Sequence, residues 1–360
     1  MKITYIAETS LTNRSAYTHH VLKMCDAFSK KGKVELIIPS DQEKFNFQKI
    51  KRNFLLKVKK NFTIKSILKI NIVNFLIRLL FGLKVANFLK NNTPDVIISR
   101  SLISSFFLCI FRVNHFLEIH TELKGLTKFL FIHLNFINSQ YLIRIILISK
   151  SLSKKFNSIK KKKLLILHDA VDIKDFRFKI KNTKILKSVT YVGSFYKGKG
   201  VELLLELAGK FKGITFNIYG DTLSIHYQKL KNVKFHGYIN YYQVPKVLMN
   251  SDILILPSAN IQFGRANNIN ITNYNSPLKM FDYLAAGKII LASKRDGICE
   301  ILKHNYNSVI VKDYNLEAWS AALNKIITNK YILPKLRNNS IKTAKKNTWD
   351  ERVVKILNSI

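Results

Sequence analysis

The chain has 360 residues, 47% of them hydrophobic and 23% charged, which is typical of a soluble globular protein long enough for two domains. Its three cysteines, Cys25, Cys109 and Cys299, lie far apart, which excludes a disulfide framework and a cysteine metal motif and favours a reducing cytoplasm. Sixty lysines and arginines against 22 acids leave a formal charge of +38, which draws the chain to polyanions.

Two classes of polyanion could account for this charge, nucleic acid and an anionic membrane surface. The excess is mostly lysine spread over the whole chain, and no helix-turn-helix, zinc-finger or RNA-recognition pattern accompanies it. We therefore expect no nucleic-acid partner and predict contact with an anionic membrane. An AT-rich genome also produces abundant Lys, Asn, Ile and Phe, and this compositional explanation stays open.

The N-terminus is predicted to be a short strand, residues 3–7, without the long apolar region of a secretory signal. The most apolar stretches, 67–83 and 126–148, are broken by charged and polar residues, so neither is predicted to cross a bilayer. Both are candidates for helices lying on a membrane surface, basic on one side and apolar on the other.

The first half of the chain alternates predicted strands and helices, which indicates a parallel sheet covered by helices on both faces. Ligands of such sheets bind beyond the carboxyl ends of the strands, where Asn13-Arg14-Ser15, Arg100 and His120 fall. The predicted elements are a helix over 17–31, a strand over 34–38, a broken helical region over 44–92, a strand over 95–99, a helix over 101–111, and strands over 116–120 and 144–149.

The second half repeats this alternation. The lysine run 160–163 is predicted to be a solvated turn, and the polar stretch 173–187 an interdomain linker. Two α/β domains with a cleft between them follow. The predicted elements are strands over 164–167, 189–192, 214–219, 233–236, 253–256, 289–292 and 308–311, and a helix that starts at Val201.

The loop from Gly193 to Gly200 lies between a predicted strand and a predicted helix, so its amides could face a phosphate. It matches neither the Walker pattern nor the dinucleotide G-x-G-x-x-G pattern. Together with Lys199 and the helix that follows Ser276, it places two phosphate-binding elements in one domain. This combination indicates a diphosphate ligand.

The stretch from Ser276 to Gly287 is predicted to be a loop followed by a helix that ends at Gly287. Pro277 suits the first helical position, Ser276 is predicted to cap free amides, and Gly287 is predicted to supply a left-handed exit. Such a helix N-terminus binds anions, and Asp282 further along could bind sugar hydroxyls. An ordinary capped amphipathic helix, with Lys279 and Asp282 pointing away from the core, is the alternative.

These segments resemble family-four retaining glycosyltransferases, in the branch with a Ser-Pro-x-Lys motif. The resemblance rests on Tyr191 to Leu204, on Asn232 to Tyr238, on Ser251 to Ser258 and on Ser276-Pro277-Leu278-Lys279 with Phe281 to Gly287. Ser15-Ala16-Tyr17, His20-Val21, Glu118-Ile119-His120 and Trp349-Asp350-Glu351-Arg352 extend it over nearly the whole chain.

The resemblance implies a GT-B fold of two Rossmann-like domains. Residues 1–175 would form the acceptor-side domain, residues 186–345 the nucleotide-sugar domain, and residues 346–360 a helix crossing back to the first domain. Family members transfer a sugar from a nucleotide-diphosphate donor with retention of configuration and need neither a metal nor a cofactor.

The resemblance also implies roles for individual residues. His120 would contact the transferred sugar, and Asp282 would hold the ribose hydroxyls. The loop Asn13-Arg14-Ser15 would close on phosphates or on the acceptor. The positions implied to bind the donor diphosphate are Lys199, Ser194, Ser276, Pro277 and Leu278.

The chain departs from the family pattern at two positions. Many members have Arg where this chain has Ser194, although Lys197 could reach the same place, and many have a first glutamate where this chain has Tyr274. The segment 259–275 is too irregular to interpret. Because only one acid remains in the helix, substitution on the front face assisted by the leaving diphosphate is favoured over double displacement.

These observations predict a transferase for a glycan or lipid-linked acceptor, peripheral on the inner face of the cell membrane and active in cell-surface polysaccharide assembly. Two alternatives stay open: a GT-B protein without catalysis that acts as a partner at the membrane, and a basic nucleic-acid-binding protein. His19, His20 and His168 are predicted to be structural, and Cys25 and Cys109 to lie in the core.

Overall fold

The computed structural model describes residues 1–11, 15–40, 45–58, 61–70, 74–176, 185–221, 230–263 and 269–360. The chain divides into two compact units. Unit 1 contains residues 1–148, 152–168 and 349–360, and unit 2 contains residues 149–151 and 169–348.

Unit 1 is built on a seven-stranded sheet in the order β3-β2-β1-β4-β5-β6-β7, in which all neighbouring strands are parallel. Its central strands are apolar runs buried on both faces, as parallel sheets require. The strands are β1 (Lys2–Ile6), β2 (Lys33–Pro39), β3 (Phe62–Leu68), β4 (Val96–Ser99), β5 (His115–Ile119), β6 (Leu142–Leu147) and β7 (Leu164–Ile166).

The helices of unit 1 connect these strands. Helix α1 is capped by the Ser15 side chain and buries Cys25, and α4 buries Cys109, as predicted. The helices are α1 (Ala16–Phe28), α2 (Phe47–Phe54), α3 (Phe75–Asn91), α4 (Leu102–Ile110), α5 (Gly125–Lys128) and α6 (Lys150–Ser153), the last of which is shared with unit 2.

The helical prediction over 44–92 is wrong in its middle, because β3 lies there between α2 and α3. In Phe62–Leu68, Phe62, Ile64 and Leu68 have the even spacing of a strand, but Ser66 and Ile67 interrupt the alternation of apolar and polar residues. This interruption obscured the strand in the sequence. The stretch 67–83 is therefore not one surface helix, since β3 ends at Leu68 and α3 begins at Phe75.

The predicted surface helix over 126–148 is also wrong. Only short helical turns follow α5, and Leu142–Leu147 forms the buried strand β6. Within the described part of the chain, no helix has the length and hydropathy needed to cross a membrane. The lysine run 160–163 is not a wholly solvated turn either, because the Lys163 ammonium is turned inward to the carbonyl oxygens of Ser139 and Leu142.

Unit 2 is built on a six-stranded sheet in the order β10-β9-β8-β11-β12-β13, again parallel throughout. Apolar clusters cover both of its faces, and Trp319 and Phe281 are among the largest buried side chains. The strands are β8 (Ser188–Val192), β9 (Thr215–Tyr219), β10 (Val233–Phe235), β11 (Ile253–Leu256), β12 (Ile289–Ser293) and β13 (Val309–Val311).

The helices of unit 2 pack on this sheet, and the two-sheet α/β fold agrees with the prediction. Its helices are α7 (Val201–Lys210), α8 (Val244–Met249), α9 (Leu278–Ala286), α10 (Asp296–Cys299), α11 (Leu316–Thr328) and α12 (Leu333–Lys345). The last helix, α13 (Trp349–Leu357), belongs to unit 1 and packs on α1, so the chain returns to its first unit as predicted.

Candidate functional site

The loop after β8 brings the backbone of unit 2 close to a lysine. Gly193 has a φ of 151°, and a Cβ atom at this position would overlap the Nζ of Lys279. Gly200 has a φ of 80° and begins α7, and a Cβ atom there would overlap the carbonyl oxygen of Pro257. The close backbone of Pro257 therefore requires a glycine at position 200, whereas Gly193 is favoured by its positive φ, because the end of a lysine side chain can move.

Two lysines lie together beside this loop. Burial lowers the pKa of Lys199 to about 8. Burial, and then the charge of Lys199, holds the pKa of Lys279 well below its ordinary value. The Lys279 ammonium lies 3.9 Å from the centroid of the Tyr191 ring, and among the described residues neither lysine has a carboxylate partner.

The N-terminus of helix α9 lies beside the same loop, since Lys279 is in the first turn of this helix. Pro277 is the N-cap residue, and no side chain caps the helix, so the prediction that Ser276 caps it and that Pro277 is its first residue is wrong. Lys279 therefore sits in the first turn, where the helix dipole disfavours a cation. Two cations and an uncapped helix N-terminus together form a region of positive potential that a bound anion would neutralise.

Tyrosines hold the loop and the helix in place. The Tyr191 hydroxyl donates to the Ser194 carbonyl oxygen at 2.7 Å, and the Val192 amide donates to the Tyr283 hydroxyl at 3.0 Å. Lys197 is exposed, so Lys279, and not Lys197, lies beside Gly193. The sequence analysis left Lys279 out of the site, although its position in the Ser-Pro-x-Lys motif was a signal.

The rest of α9 agrees with the prediction in part. Gly287 ends the helix in the left-handed conformation as predicted, and Phe281 and Leu284 are buried, but Leu278 is only half-buried. Asp282 is buried, and its Oδ1 accepts a hydrogen bond from the Tyr241 hydroxyl at 2.9 Å. Burial, and then the charge of Asp282, raises the pKa of Tyr241 well above its ordinary value. The ribose contact of Asp282 stays a prediction.

The segment 259–275 offers no acid in place of the glutamate that the resemblance led us to look for at Tyr274. Tyr274 is buried, its carbonyl oxygen accepts a hydrogen bond from Ser149 at 2.9 Å, and the segment 259–275 contains neither Asp nor Glu. In its described part, the Gln262 amide donates to Thr272 and the Asn275 side chain to Gln262. These contacts give the segment a structural role.

In unit 1, His120 follows β5 and lies against a fully buried carboxylate. The Glu118 Oε1 is 2.6 Å from His120 Nε2, 2.7 Å from His20 Nε2 and 2.9 Å from Arg352 Nη2. The Glu118 Oε2 accepts from the Tyr5 hydroxyl at 2.8 Å. Glu118 therefore joins β1, α1, β5 and the terminal helix α13. We name Glu118, His20, His120, Arg352 and Tyr5 the Glu118 network.

The charges of the Glu118 network balance one another. Burial alone would raise the pKa of Glu118, but Arg352 and His20 hold it well below its ordinary value. Burial, and then the charge of Arg100, lowers the pKa of His120 to about 3, so its ring is neutral at neutral pH. If His120 Nε2 carries the proton that Glu118 accepts, Nδ1 keeps an unshared pair directed away from the carboxylate.

Other polar groups gather near the ends of β1 and β4. The Arg100 guanidinium lies 4.1 Å from the centroid of the Tyr17 ring, and burial raises the pKa of Tyr17 to about 12. The Glu8 carboxylate accepts from Ser101 Oγ at 2.5 Å and lies 3.3 Å from Arg78 Nε. The sequence analysis found Arg100 and His120 but missed the acids that accompany them.

The remaining predicted residues are accounted for as follows. Ser15 accepts a hydrogen bond from the Thr18 amide at 3.2 Å and so caps α1, which is a structural role. Asn13 and Arg14 lie outside the described residues. His19 packs near Phe54, and His20 packs edge-on against Trp349 in the Glu118 network, which agrees with their predicted structural role.

Comparison with known proteins identifies relatives of this architecture. Residues 172–347 match the family model described as glycosyl transferases group 1. An uncharacterised 41.2 kDa protein in the cps region of Klebsiella pneumoniae is 28% identical over 119 residues, 29% of this chain and 33% of that protein. An uncharacterised glycosyltransferase of Methanocaldococcus jannaschii is 21% identical over 220 residues, 59% of this chain and 57% of that protein. The matched region thus spans a third and just over half of these two relatives.

Solved structures resemble the whole chain. Anabaena HepE in complex with UDP and glucose superimposes with a TM-score of 0.72 at 14% identity, covering 100% of both chains. A glycosyltransferase from Rickettsia africae gives 0.72 at 15% identity, covering 99% of this chain and 96% of that one. The lipopolysaccharide outer core galactosyltransferase WaaB gives 0.67 at 16% identity, covering 100% of both chains. The fold is therefore that of GT-B glycosyltransferases.

Proposed function

We propose that this GT-B protein is a glycosyltransferase that moves a sugar from a nucleotide-diphosphate donor to a glycan or lipid-linked acceptor. The observation that carries the proposal is the pair Lys199 and Lys279 at the uncapped N-terminus of α9, without a carboxylate partner among the described residues. Two half-buried cations placed together repel one another unless an anion balances them. A diphosphate supplies two negative groups that can do so.

The same groups would stabilise the transition state. When the glycosidic bond to the donor breaks, negative charge develops on the departing diphosphate, and fixed cations and amide dipoles aimed at it lower the barrier. Lys199, Ser194, Ser276, Pro277 and Leu278 would contact the diphosphate, and Lys279 would supply the charge that many family members place at the position of Ser194. Asp282, one turn into α9, would bind the ribose hydroxyls.

We propose retention of configuration by front-face substitution, without a metal or cofactor. Double displacement requires a second carboxylate placed as a nucleophile, and the segment where relatives carry one has no acid. The neutral ring of His120, held at Nε2 by Glu118, would offer Nδ1 to a hydroxyl of the transferred sugar. Asn13 and Arg14, which the structure does not describe, are kept as a proposed phosphate or acceptor loop, with Ser15 as the cap behind it.

We assign the acceptor to unit 1 and the donor to unit 2, with predicted domains of 1–175 and 186–345. Cell-surface polysaccharide assembly at the inner face of the cell membrane is the proposed setting. Two observations support it: the names of the Klebsiella relative and of the lipopolysaccharide transferase, and the charge of +38, which favours an anionic membrane surface.

The test is a thermal-shift screen of the full chain against nucleoside diphosphates and nucleotide sugars, without and with a divalent metal. A ligand present well above its dissociation constant raises stability by mass action. We expect one nucleotide family to stabilise the protein without metal, and Lys199→Ala and Lys279→Ala to reduce the shift strongly. Lys197→Ala, an exposed lysine of the same loop, is the matched control and should leave the shift unchanged.

The outcomes separate the alternatives. Tight diphosphate binding without turnover of any donor sugar would favour a partner protein without catalysis. No response to any nucleotide, together with tight binding to RNA or DNA, would overturn the proposal in favour of nucleic-acid binding.

A further inference from the structure

Helix α3 of unit 1 exposes a row of large apolar side chains. Leu76 is 67% exposed, Leu80 51% and Leu83 41%, and Phe75 next to them is also exposed. The spacing of the leucines, four and then three residues, places them on one face of the helix. On the opposite face, Phe81 and Val85 are fully buried in the core of unit 1. We name Phe75, Leu76, Leu80 and Leu83 the α3 leucine face.

Four large apolar side chains are exposed along one short stretch of this helix. Single exposed leucines need no explanation, but a contiguous exposed apolar patch marks a contact with another molecule or with a membrane. The exposed Arg78 lies among these apolar side chains in the first half of α3, and the second half carries the exposed Lys84, Asn87 and Lys90. Exposed apolar and basic side chains on one helix match the composition of a helix that lies at a bilayer surface.

The charge around the α3 leucine face indicates whether its partner is a second copy of the chain or a bilayer. Helix α3 contains Arg78, Lys84 and Lys90 and no acidic residue, and the chain as a whole carries +38. A second copy of the chain would bring the same positive charge to the contact and be repelled. A bilayer rich in anionic phospholipid offers an apolar interior and a negative surface, and so complements both features.

The topology places this face at the functional edge of unit 1. Since β3 is parallel to the other strands, the helix that follows it begins at the carboxyl edge of the sheet. The contact that confirms this position is Arg78 Nε to the Glu8 carboxylate at 3.3 Å, and Glu8 in turn accepts from Ser101 directly after β4. His120 follows β5 at the same edge.

We propose that the α3 leucine face docks unit 1 onto an anionic phospholipid bilayer, so that the carboxyl edge carrying Glu8, Arg100 and His120 faces the lipid surface. The leucines enter the headgroup and upper acyl region, while Lys84 and Lys90 remain at the level of the phosphates. The inference rests on the proposed function for the role of that edge in acceptor binding. Bilayer binding itself does not require it.

The experiment is co-sedimentation of the full chain with vesicles of phosphatidylglycerol and phosphatidylcholine, and with vesicles of phosphatidylcholine alone. We expect binding to the anionic vesicles only. Leu76→Gln/Leu80→Gln should weaken it by at least about ten-fold, because two large apolar side chains lose their burial. Since both residues are exposed, the variant should keep the melting temperature of the wild type.

The matched control is Ile110→Gln/Ile185→Gln. Ile110 is 48% exposed at the end of α4, toward the amino edge of the sheet, and Ile185 is 62% exposed in unit 2. Equal loss of binding in the control would overturn the assignment to α3. So would equal binding of the wild type to both vesicle types, no binding to either, or a concentration-dependent dimer that Leu76→Gln/Leu80→Gln dissociates.

Failure here is distinguishable from failure of the proposed function. The thermal shift with nucleoside diphosphates reports the site of unit 2, and Leu76→Gln/Leu80→Gln should retain it in full. A protein that binds nucleotide but not anionic vesicles would refute the docking proposal alone. A protein that binds vesicles through α3 but no nucleotide would refute the glycosyltransferase proposal and leave the docking surface in place.

Discussion

Each unit has ionisable groups at the carboxyl edge of its own parallel sheet, but the charges are paired with opposite charges only in unit 1. In unit 1, the Glu118 carboxylate is surrounded by Arg352, His20, His120 and the Tyr5 hydroxyl. In unit 2, Lys199 and Lys279 lie together at a helix N-terminus, with no carboxylate partner among the described residues. A balanced network holds side chains in position, whereas an unbalanced one attracts a ligand of the opposite charge.

The energetic consequences of this difference have opposite signs. Removing one partner from a balanced buried network leaves an uncompensated charge and destabilises the protein. Removing a cation from an unbalanced pair relieves repulsion and desolvation in the free protein, and costs only ligand affinity. Stability and binding measured on matched variants of the two units therefore test the comparison directly.

The largest expected effect is in the Glu118 network. Arg352→Met should lower the free energy of unfolding by about 3–5 kcal/mol, because it leaves the Glu118 charge buried without its arginine. Glu118→Gln/Arg352→Met should recover much of this loss, because both charges are then absent. Urea denaturation of the full chain measures both.

Asp350→Asn is the control for that cycle, since it lies on the same helix α13 and removes only the exposed ion pair with Lys30 at 2.5 Å. Its cost should stay below about 1 kcal/mol. The cycle also needs Glu118→Gln alone. If the loss of stability in Glu118→Gln/Arg352→Met equals the sum of the losses in Glu118→Gln and Arg352→Met, the charges of Glu118 and Arg352 are not coupled, and the contrast between the units fails.

The second effect is at Lys279. Lys279→Met should weaken nucleoside diphosphate binding about 10- to 100-fold, the loss of about 1.5–3 kcal/mol expected for a hydrogen bond to a charged group. The free protein should be as stable as the wild type or more stable, because a half-buried cation beside Lys199 has been removed. Calorimetric titration and thermal denaturation give the two quantities, with Lys197→Met as the control. A destabilised Lys279→Met protein would show that this lysine is a structural group.

The third effect is pH dependence. A bound diphosphate favours protonated Lys199, whose pKa in the free protein is about 8. Affinity should therefore be full below this pH and fall above it, by up to about ten-fold per pH unit for one group. In the free protein the lowered pKa has the reverse effect: the unfolded chain holds more protons between about pH 8 and the ordinary lysine pKa of about 10.4, so the contribution of Lys199 to stability rises over that window.

Glu118 should show the complementary dependence. Its pKa lies well below the ordinary value, so the stability it contributes is present at neutral pH and is lost as the pH falls below about 4 toward its folded pKa. Binding and denaturation curves across pH 3–10 would reveal both trends. Affinity for nucleoside diphosphate that does not change between pH 7 and 9.5 would contradict the role of Lys199.

The smallest effect is at Asp282. Asp282→Ala should weaken a nucleoside diphosphate by about five-fold, about 1 kcal/mol, because the ribose loses a hydrogen-bond acceptor. Pyrophosphate, which has no ribose, should bind the variant as well as the wild type. Tyr241→Phe, which removes only the hydroxyl that donates to Asp282, is the control. Equal weakening of both ligands by Asp282→Ala would place this carboxylate near the phosphates and refute the ribose assignment.

Local patterns in the sequence predicted much of the fold. Runs such as Val96-Ile97-Ile98 and Ile289-Ile290-Leu291 are apolar at every position, and only a strand buried on both faces accounts for them. The prediction failed at Phe62–Leu68, an edge strand that is only half-buried. There the polar positions are lysine and hydroxyl residues that also suit a helix, and the pairing with β2 decided the outcome.

The residues of the candidate site could be predicted where a local motif fixes the backbone conformation. Where side-chain contacts across the fold decide the arrangement, they could not. Gly193, Lys199, Gly200 and Gly287 lie in the conformations and places that their local sequence indicated. Ser276 does not cap α9, although its residue type favours it. Lys279 was expected to point away from the apolar core, but its ammonium lies over the ring of the buried Tyr191.

By itself the sequence determined two parallel α/β sheets, a glycine loop with a lysine at the end of β8, and an α9 helix ending at Gly287. These follow from periodicity, backbone freedom and turn chemistry, which act over a few residues. The tertiary structure alone decided which charges are balanced. Tyr5, Glu118 and Arg352 meet although more than 100 residues separate each from the next, while Lys199 and Lys279 meet beside no acid in the described part of the chain. Electrostatic pairing depends on distance in space, and only the completed fold sets that distance.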